Sequence, residues 1–146
     1  MKTKFKVHGF KDLEKALKEL PKATAKASVR RVLKKAAQPI ADAGRNNAPE
    51  SEGRLKASYG VGTRLTKRQR KVSRKESEVE VYAGPNDPAA IQTEFGNDHQ
   101  AAQPHLRPAW DAEKRAALDS IKDEAWADVV KSIARYQKRL ARKAKR

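Results

Sequence analysis

An apolar track that continues at helical spacing from Trp110 almost to the end of the chain constrains the architecture more than any other feature. Trp110, Ala117, Ile121 and Ala125 share one stripe, and Trp126, Val129, Val130, Ile133 and Leu140 carry it onward. Pro108 suits the first helical position, where a missing N–H is no loss, and Asp111 and Glu113 complement the positive end of the helix dipole. A helix of about 35 residues is roughly 50 Å long, more than the thickness of a domain made from a chain of this size. The sequence therefore predicts a helix whose far half leaves the body. Residues 1–125 are expected to form one domain, and residues 126–146 a protruding helical extension that ends in an unstructured basic tail, Lys138 to Arg146.

Upstream, Lys4-Phe5-Lys6-Val7-His8 alternates with period two and reads as a short strand closed by Gly9. Leu13, Leu17 and Leu20, with Phe10 and Ala16, mark a short helix that should stop at Pro21. A second helix follows from Lys22 to Asn46, with Val29, Leu33, Ala36 and Ile40 on one face and basic residues opposite. Pro39 inside it predicts a bend near Ala36. After the break at Asn46-Asn47-Ala48-Pro49, Ser51 can cap a short turn through Leu55. Ser58 to Leu65 and Glu78 to Ala83 then read as the two strands of an antiparallel hairpin. Gly84-Pro85-Asn86-Asp87-Pro88 is turn chemistry, Ala89 to Phe95 returns to the core, and Gly96 to Gln103 is a polar loop. The expected class is α+β: a small antiparallel sheet packed against N-terminal helices and a long C-terminal helix.

At 146 residues the chain fits one domain. Hydrophobic residues make up 38% and charged residues 36%, a balance that suits a small core with long solvated helices. The net charge of +16 calls for a polyanion or an acidic protein surface as partner. Without a cysteine there is no disulfide framework, thiolate metal site or cysteine nucleophile. The basic N-terminus precedes no apolar signal core, and no segment approaches a membrane span, so a soluble, non-secreted protein with no membrane partner is expected.

Chemistry of the catalytic kind finds no footing. His8, His99 and His105 have no metal-site spacing and read as surface or loop residues. Gly60-Val61-Gly62-Thr63 lacks the lysine and hydroxyl of a phosphate loop, no serine sits in a nucleophile elbow, and Asp111, Glu113, Asp123 and Glu124 read as a solvated helix face. No enzyme activity, cofactor or metal is expected. The hairpin tip is more informative: Lys67, Arg68, Arg70, Lys71, Arg74 and Lys75 occur with no acid before Glu76, so residues 66–77 should be exposed and mobile. Such a cluster either releases counterions on meeting phosphates, giving sequence-independent DNA contact, or simply solubilises a loop. No aromatic interleaves it to stack on bases.

One ordered series of motifs goes beyond composition. A leading helix pair is followed by Ala48-Pro49 and Gly53-Arg54-Leu55-Lys56-Ala57-Ser58, by Val79-Glu80-Val81-Tyr82-Ala83-Gly84, by Glu94-Phe95-Gly96, and by Pro104-His105-Leu106-Arg107-Pro108-Ala109. From about Gly9 to Lys122 this order resembles the tail-completion, or head-tail joining, neck proteins of long-tailed phages, a gene-product-ten-like group of minor tail proteins. The resemblance implies a structural virion protein and no reaction. It implies a ring, expected to hold six copies, around the DNA channel at the virion neck or tail, assembled in the host cytoplasm. Partners would be the head-tail connector or stopper, the tail terminator or tail tube protein, other copies of the chain, and the genomic double-stranded DNA without sequence preference. His105 departs from the phenylalanine the family often carries there. Both late motifs hold a charge in apolar surroundings, so Glu94 and Arg107 are expected to form a structural ion pair, the alternative being two independent surface charges. Trp126, Val130, Ile133 and Leu140 are the expected subunit or partner interface. The competing reading, from charge alone, is a general nucleic-acid-binding protein.

Overall fold

The computed structural model describes residues 10–50 and 53–145. Six helices and two strands follow in the order α1 (Phe10–Lys18), α2 (Lys22–Asn47), α3 (Arg54–Ala57), β1 (Tyr59–Gly62), α4 (Lys67–Val72), β2 (Tyr82–Pro85), α5 (Ala89–Phe95) and α6 (Leu106–Ala144). The class is α+β, with a two-stranded antiparallel sheet, N-terminal helices and a long C-terminal helix. The strand expected at Lys4 to His8 and the Ser51 cap lie outside the described residues.

Helices α2 and α6 form the frame, because each is long enough to bury a continuous apolar face along the other. They run antiparallel: Arg31 meets Asp128, Lys35 meets Glu124, and Asn47 reaches His105 at the opposite end. One core cluster joins Leu13 of α1, Val32 of α2 and Ala125 and Val129 of α6, with Phe10, Ala16, Leu17, Ile121 and Ile133 around it. The inward face of α2 is Ser28, Val32, Ala36, Ile40, Ala41 and Gly44. Val29 and Leu33 sit at its edge, since a helix that faces α1, α6 and the sheet must bury more than one narrow stripe. Pro39 does not interrupt α2.

Ser28 is fully buried, yet its hydroxyl is matched by the Asp128 carboxylate, which also accepts from Arg31 Nη2 at 2.9 Å. Burial pushes the Asp128 carboxyl up, but the hydrogen bonds from Arg31 and Ser28 outweigh it and hold the group below its ordinary range. A polar clamp thus fixes the axial register of the two long helices, which apolar contact alone would leave free to slide.

The sheet is shorter than the alternation predicts, and its second strand lies further along the chain. Its register pairs Tyr59 with Pro85, Gly60 with Gly84, Val61 with Ala83 and Gly62 with Tyr82. Beyond Gly62 the chain turns into α4, so Glu78 to Val81 have no strand opposite them. Side chains hold that segment instead: Glu80 accepts from the Glu76 and Ser77 amides, and Glu78 pairs with Lys22 at 3.2 Å and Lys26 at 3.0 Å. The second core cluster lies under the sheet, where Ala41, Ala48 and Tyr59 pack with Leu55, Val61, Ala83 and Leu106. Gly44 makes room for it, since a Cβ there would stand 2.5 Å from the Tyr59 ring.

The end of the chain also departs from expectation. Val129 and Ser132 are buried against the body, so α6 does not leave at residue 126. Given the antiparallel pairing, α2 begins beside Gln137, and only about the last two turns of α6 run past it. Lys138 to Ala144 is helix rather than unstructured tail, because a helix already nucleated over many turns adds residues at little cost.

Candidate functional site

Three features can meet partners: the start of α6, the α4 helix and, at the opposite end of α6, its C-terminal turns. The first is built around Glu94 on α5, a carboxylate only 5% exposed. The amides of His105 and Leu106 donate to its Oε2 at 2.7 and 2.9 Å, and the amide of Arg107 donates to Oε1 at 3.0 Å. These are three of the four N–H positions that a helix start leaves unpaired, and the fourth is Pro108, which has no N–H. Leu106, two residues before Pro108, is thus the first helical residue. The dipole is met by Glu94 rather than by Asp111 and Glu113, and Asp111 pairs with Lys114 at 2.7 Å.

The structure brings Glu94 and Arg107 together: Arg107 Nε donates to Glu94 Oε1 at 2.9 Å, Nη2 donates to the Glu94 carbonyl at 3.0 Å, and the guanidinium lies 4.6 Å from the Phe95 ring centroid. Burial raises the pKa of Glu94, and the amides of His105 and Leu106 together with both donors of Arg107 more than reverse it, leaving the carboxyl at about 2. Gly96, at φ +76°, closes the turn where a Cβ would meet Ala102 N at 2.8 Å. The glutamate-phenylalanine-glycine and leucine-arginine-proline-alanine motifs are therefore two halves of one clasp.

His105 is no surface residue. It is 1% exposed, its Nδ1 bonds the Tyr59 hydroxyl, and its ring meets Tyr59 edge-on. Burial, and then the charge of Glu94, push the Tyr59 phenol above its ordinary range. His105 Nε2 has no hydrogen-bond partner among the described residues. No sequence signal marks this pair, because Tyr59 and His105 stand far apart in the chain and meet only through the fold.

The second feature corrects the expected loop. Lys67, Arg68, Arg70 and Lys71 lie on helix α4, and Arg74 and Lys75 on the segment after it. Thr66 Oγ1 accepts from the Gln69 amide at 3.3 Å while Gln69 Oε1 accepts from the Thr66 amide at 3.0 Å, a reciprocal cap legible in the Thr66-x-x-Gln69 spacing. All six basic residues are exposed, as is Val72, and among the described residues Lys67, Arg68, Arg70, Lys71 and Arg74 have no acidic partner. Between α4 and α5 lies an open cleft of about 500 Å³ that reaches Glu94 and His105 and has Lys67, Arg68, Ile91 and Phe95 at its sides.

On α6, Trp126, Val130 and Leu140 are about half exposed, whereas Ile133 also packs against the first core cluster. Ile133 is shared between this outward stripe and the face that packs on α2. No group of three or more His, Asp or Glu able to hold a metal occurs among the described residues, and no helix is long and apolar enough to cross a membrane.

Residues 11–96 match the family described as "Bacteriophage HK97-gp10, putative tail-component". The chain belongs to this family. Membership of the HK97-gp10-like family gives it a structural role in a phage tail and a place in the virion, among other virion proteins. The match takes in α1 through α5 with Glu94, and ends before the residues that Glu94 caps. No curated protein and no solved structure matches the chain.

Proposed function

We propose that this tail component completes the tail and joins it to the head, as one subunit of a ring at the neck around the DNA channel. The observation that carries the reading is α4 in a tail-family protein: a capped helix with no buried residue, whose exposed basic residues have no acidic partner among the described residues. Lys67, Arg68, Arg70, Lys71, Arg74 and Lys75 face the passing genome, where backbone phosphates meet mobile cations without sequence preference. The head-tail connector or stopper lies on one side of the ring and the tail terminator or tube protein on the other. The ring holds six copies. The capped start of α6 fixes that helix relative to α5, so contacts made by one reach the other as a rigid unit. The protein carries out no catalysis.

Cryo-electron microscopy of virions, and of tails from a strain lacking the gene, tests the reading. A ring of density at the head-tail junction, absent from the mutant, is the expected result. Infectious particles of normal morphology without the protein would overturn it. The second reading, sequence-independent nucleic-acid binding away from the virion, rests on the same unpaired basic residues and predicts tight duplex binding that falls steeply with salt in the isolated protein.

A further inference from the structure

About the last five turns of α6 repeat with a period of seven. Trp126-Ala127-Asp128-Val129-Val130-Lys131-Ser132 is followed by Ile133-Ala134-Arg135-Tyr136-Gln137-Lys138-Arg139 and then by Leu140-Ala141-Arg142-Lys143-Ala144-Lys145. Trp126, Ile133 and Leu140 occupy one column, Ala127, Ala134 and Ala141 the next, and Lys131, Lys138 and Lys145 another. Together with Val130, Gln137 and Ala144, the first column gives the alternating four-and-three spacing of a helix-pairing seam.

The structure separates this seam from the face that α2 uses. Ala125, Val129 and Ser132 point into the body, while Trp126, Ala127, Val130, Ala134, Gln137, Leu140, Ala141 and Ala144 are exposed. Only Ile133 belongs to both faces. The alanine column lets another helix approach closely along a strip of about 28 Å. Charge decides what that helix is. After Asp128 the chain has eight lysines and arginines and no acid, and the whole molecule carries +16, so a second copy of this segment is repelled.

We propose that this strip is a docking site for an acidic amphipathic helix of another virion protein. The partner places apolar side chains at four-and-three spacing against Trp126, Val130, Ile133 and Leu140, and carboxylates against the lysine column and its arginine neighbours. The inference deepens the assembly reading by naming the chemistry of one partner, and its test in solution does not depend on where in the tail the protein sits.

The test uses the full chain with Trp110→Phe, which leaves Trp126 as the only tryptophan. Its emission is followed while adding a 21-residue peptide with leucine at the seam positions and glutamate at the flanks. Two control peptides replace either the leucines by serine or the glutamates by lysine. A blue shift with the acidic leucine peptide, at least tenfold tighter than with either control and weakened at least tenfold by Val130→Ser with Leu140→Ser, is the expected outcome. Both substitutions fall on exposed positions, and an unchanged helical circular dichroism signal shows that the fold is kept. Equal binding of the serine peptide would make the strip a general cation surface, and equal binding of the lysine peptide would remove the charge argument. A blue shift on concentrating the protein alone, with dimers in sedimentation, would assign the strip to a second copy. Each of these, or no binding of the acidic peptide, overturns the proposal.

Discussion

Replacing Glu94 by glutamine tests whether one buried carboxylate holds the start of α6. Glutamine keeps the shape but loses the charge, and turns an NH2 group toward amides that are themselves donors. The carboxyl lies at about 2 in the folded protein against its ordinary 4.5, which corresponds to about 3 kcal/mol of stability held by the ionised form. A similar figure follows from breaking a buried, hydrogen-bonded ion pair, at about 3–5 kcal/mol. For a chain of this length the loss should lower the melting temperature by roughly 10 °C at pH 7. Because the folded pKa lies below the ordinary value, the contribution is complete above about pH 5 and disappears as the pH falls from there towards 2. The glutamine variant has nothing to titrate at this site, so the gap between the two proteins should close over that same window. Urea unfolding followed by circular dichroism at pH 7, 5, 4 and 3 measures it. A gap below about 1 kcal/mol at pH 7, or one that persists unchanged at pH 3, would refute the argument that the three amides and Arg107 hold the charge.

Further outcomes follow from other contacts. Tyr59→Phe and His105→Phe singly should each cost about 1–3 kcal/mol by orphaning a buried partner, while the double variant should lie within about 1 kcal/mol of the parent; chemical denaturation of all four proteins supplies the cycle. Asp128→Ala strands the buried Ser28 hydroxyl and leaves Arg31 its bond to Ser132 Oγ without a charge partner there, and should cost about 1–3 kcal/mol in the same assay; a cost near zero would mean that the contact does not fix the register. Changing Lys67, Arg68, Arg70, Lys71, Arg74 and Lys75 together to glutamine should leave the melting temperature within about 2 °C while flattening the salt dependence of duplex DNA binding by up to about five in log-log slope; an unchanged slope would move DNA contact elsewhere.

Much of this architecture was legible in periodicity. The helix start after Pro21, the end of α2 at the Asn46-Asn47 break and the long run of α6 all follow from spacing and from residues that begin or stop helices. Two local signals lie within the sequence itself: the Thr66-x-x-Gln69 cap that makes a helix of the basic tip, and the seven-residue repeat from Trp126, hidden when two faces of α6 are read as one apolar track. The strand from Glu78 misled because alternation states which side chains share a face, and only a partner strand makes that face part of a sheet. That partner ends at Gly62.

The sequence by itself determined where the long helices begin, the charge and the order of motifs, since those are properties of the residues and of neighbours a few positions away. Tertiary structure alone decided that Glu94 caps a helix beginning twelve residues later, that Tyr59 and His105 share a buried bond, and that Asp128 answers Ser28 a hundred positions away. Each of these joins polar groups that would be costly to bury singly, and their pairing exists only once α2, α5 and α6 are packed and water is excluded from between them.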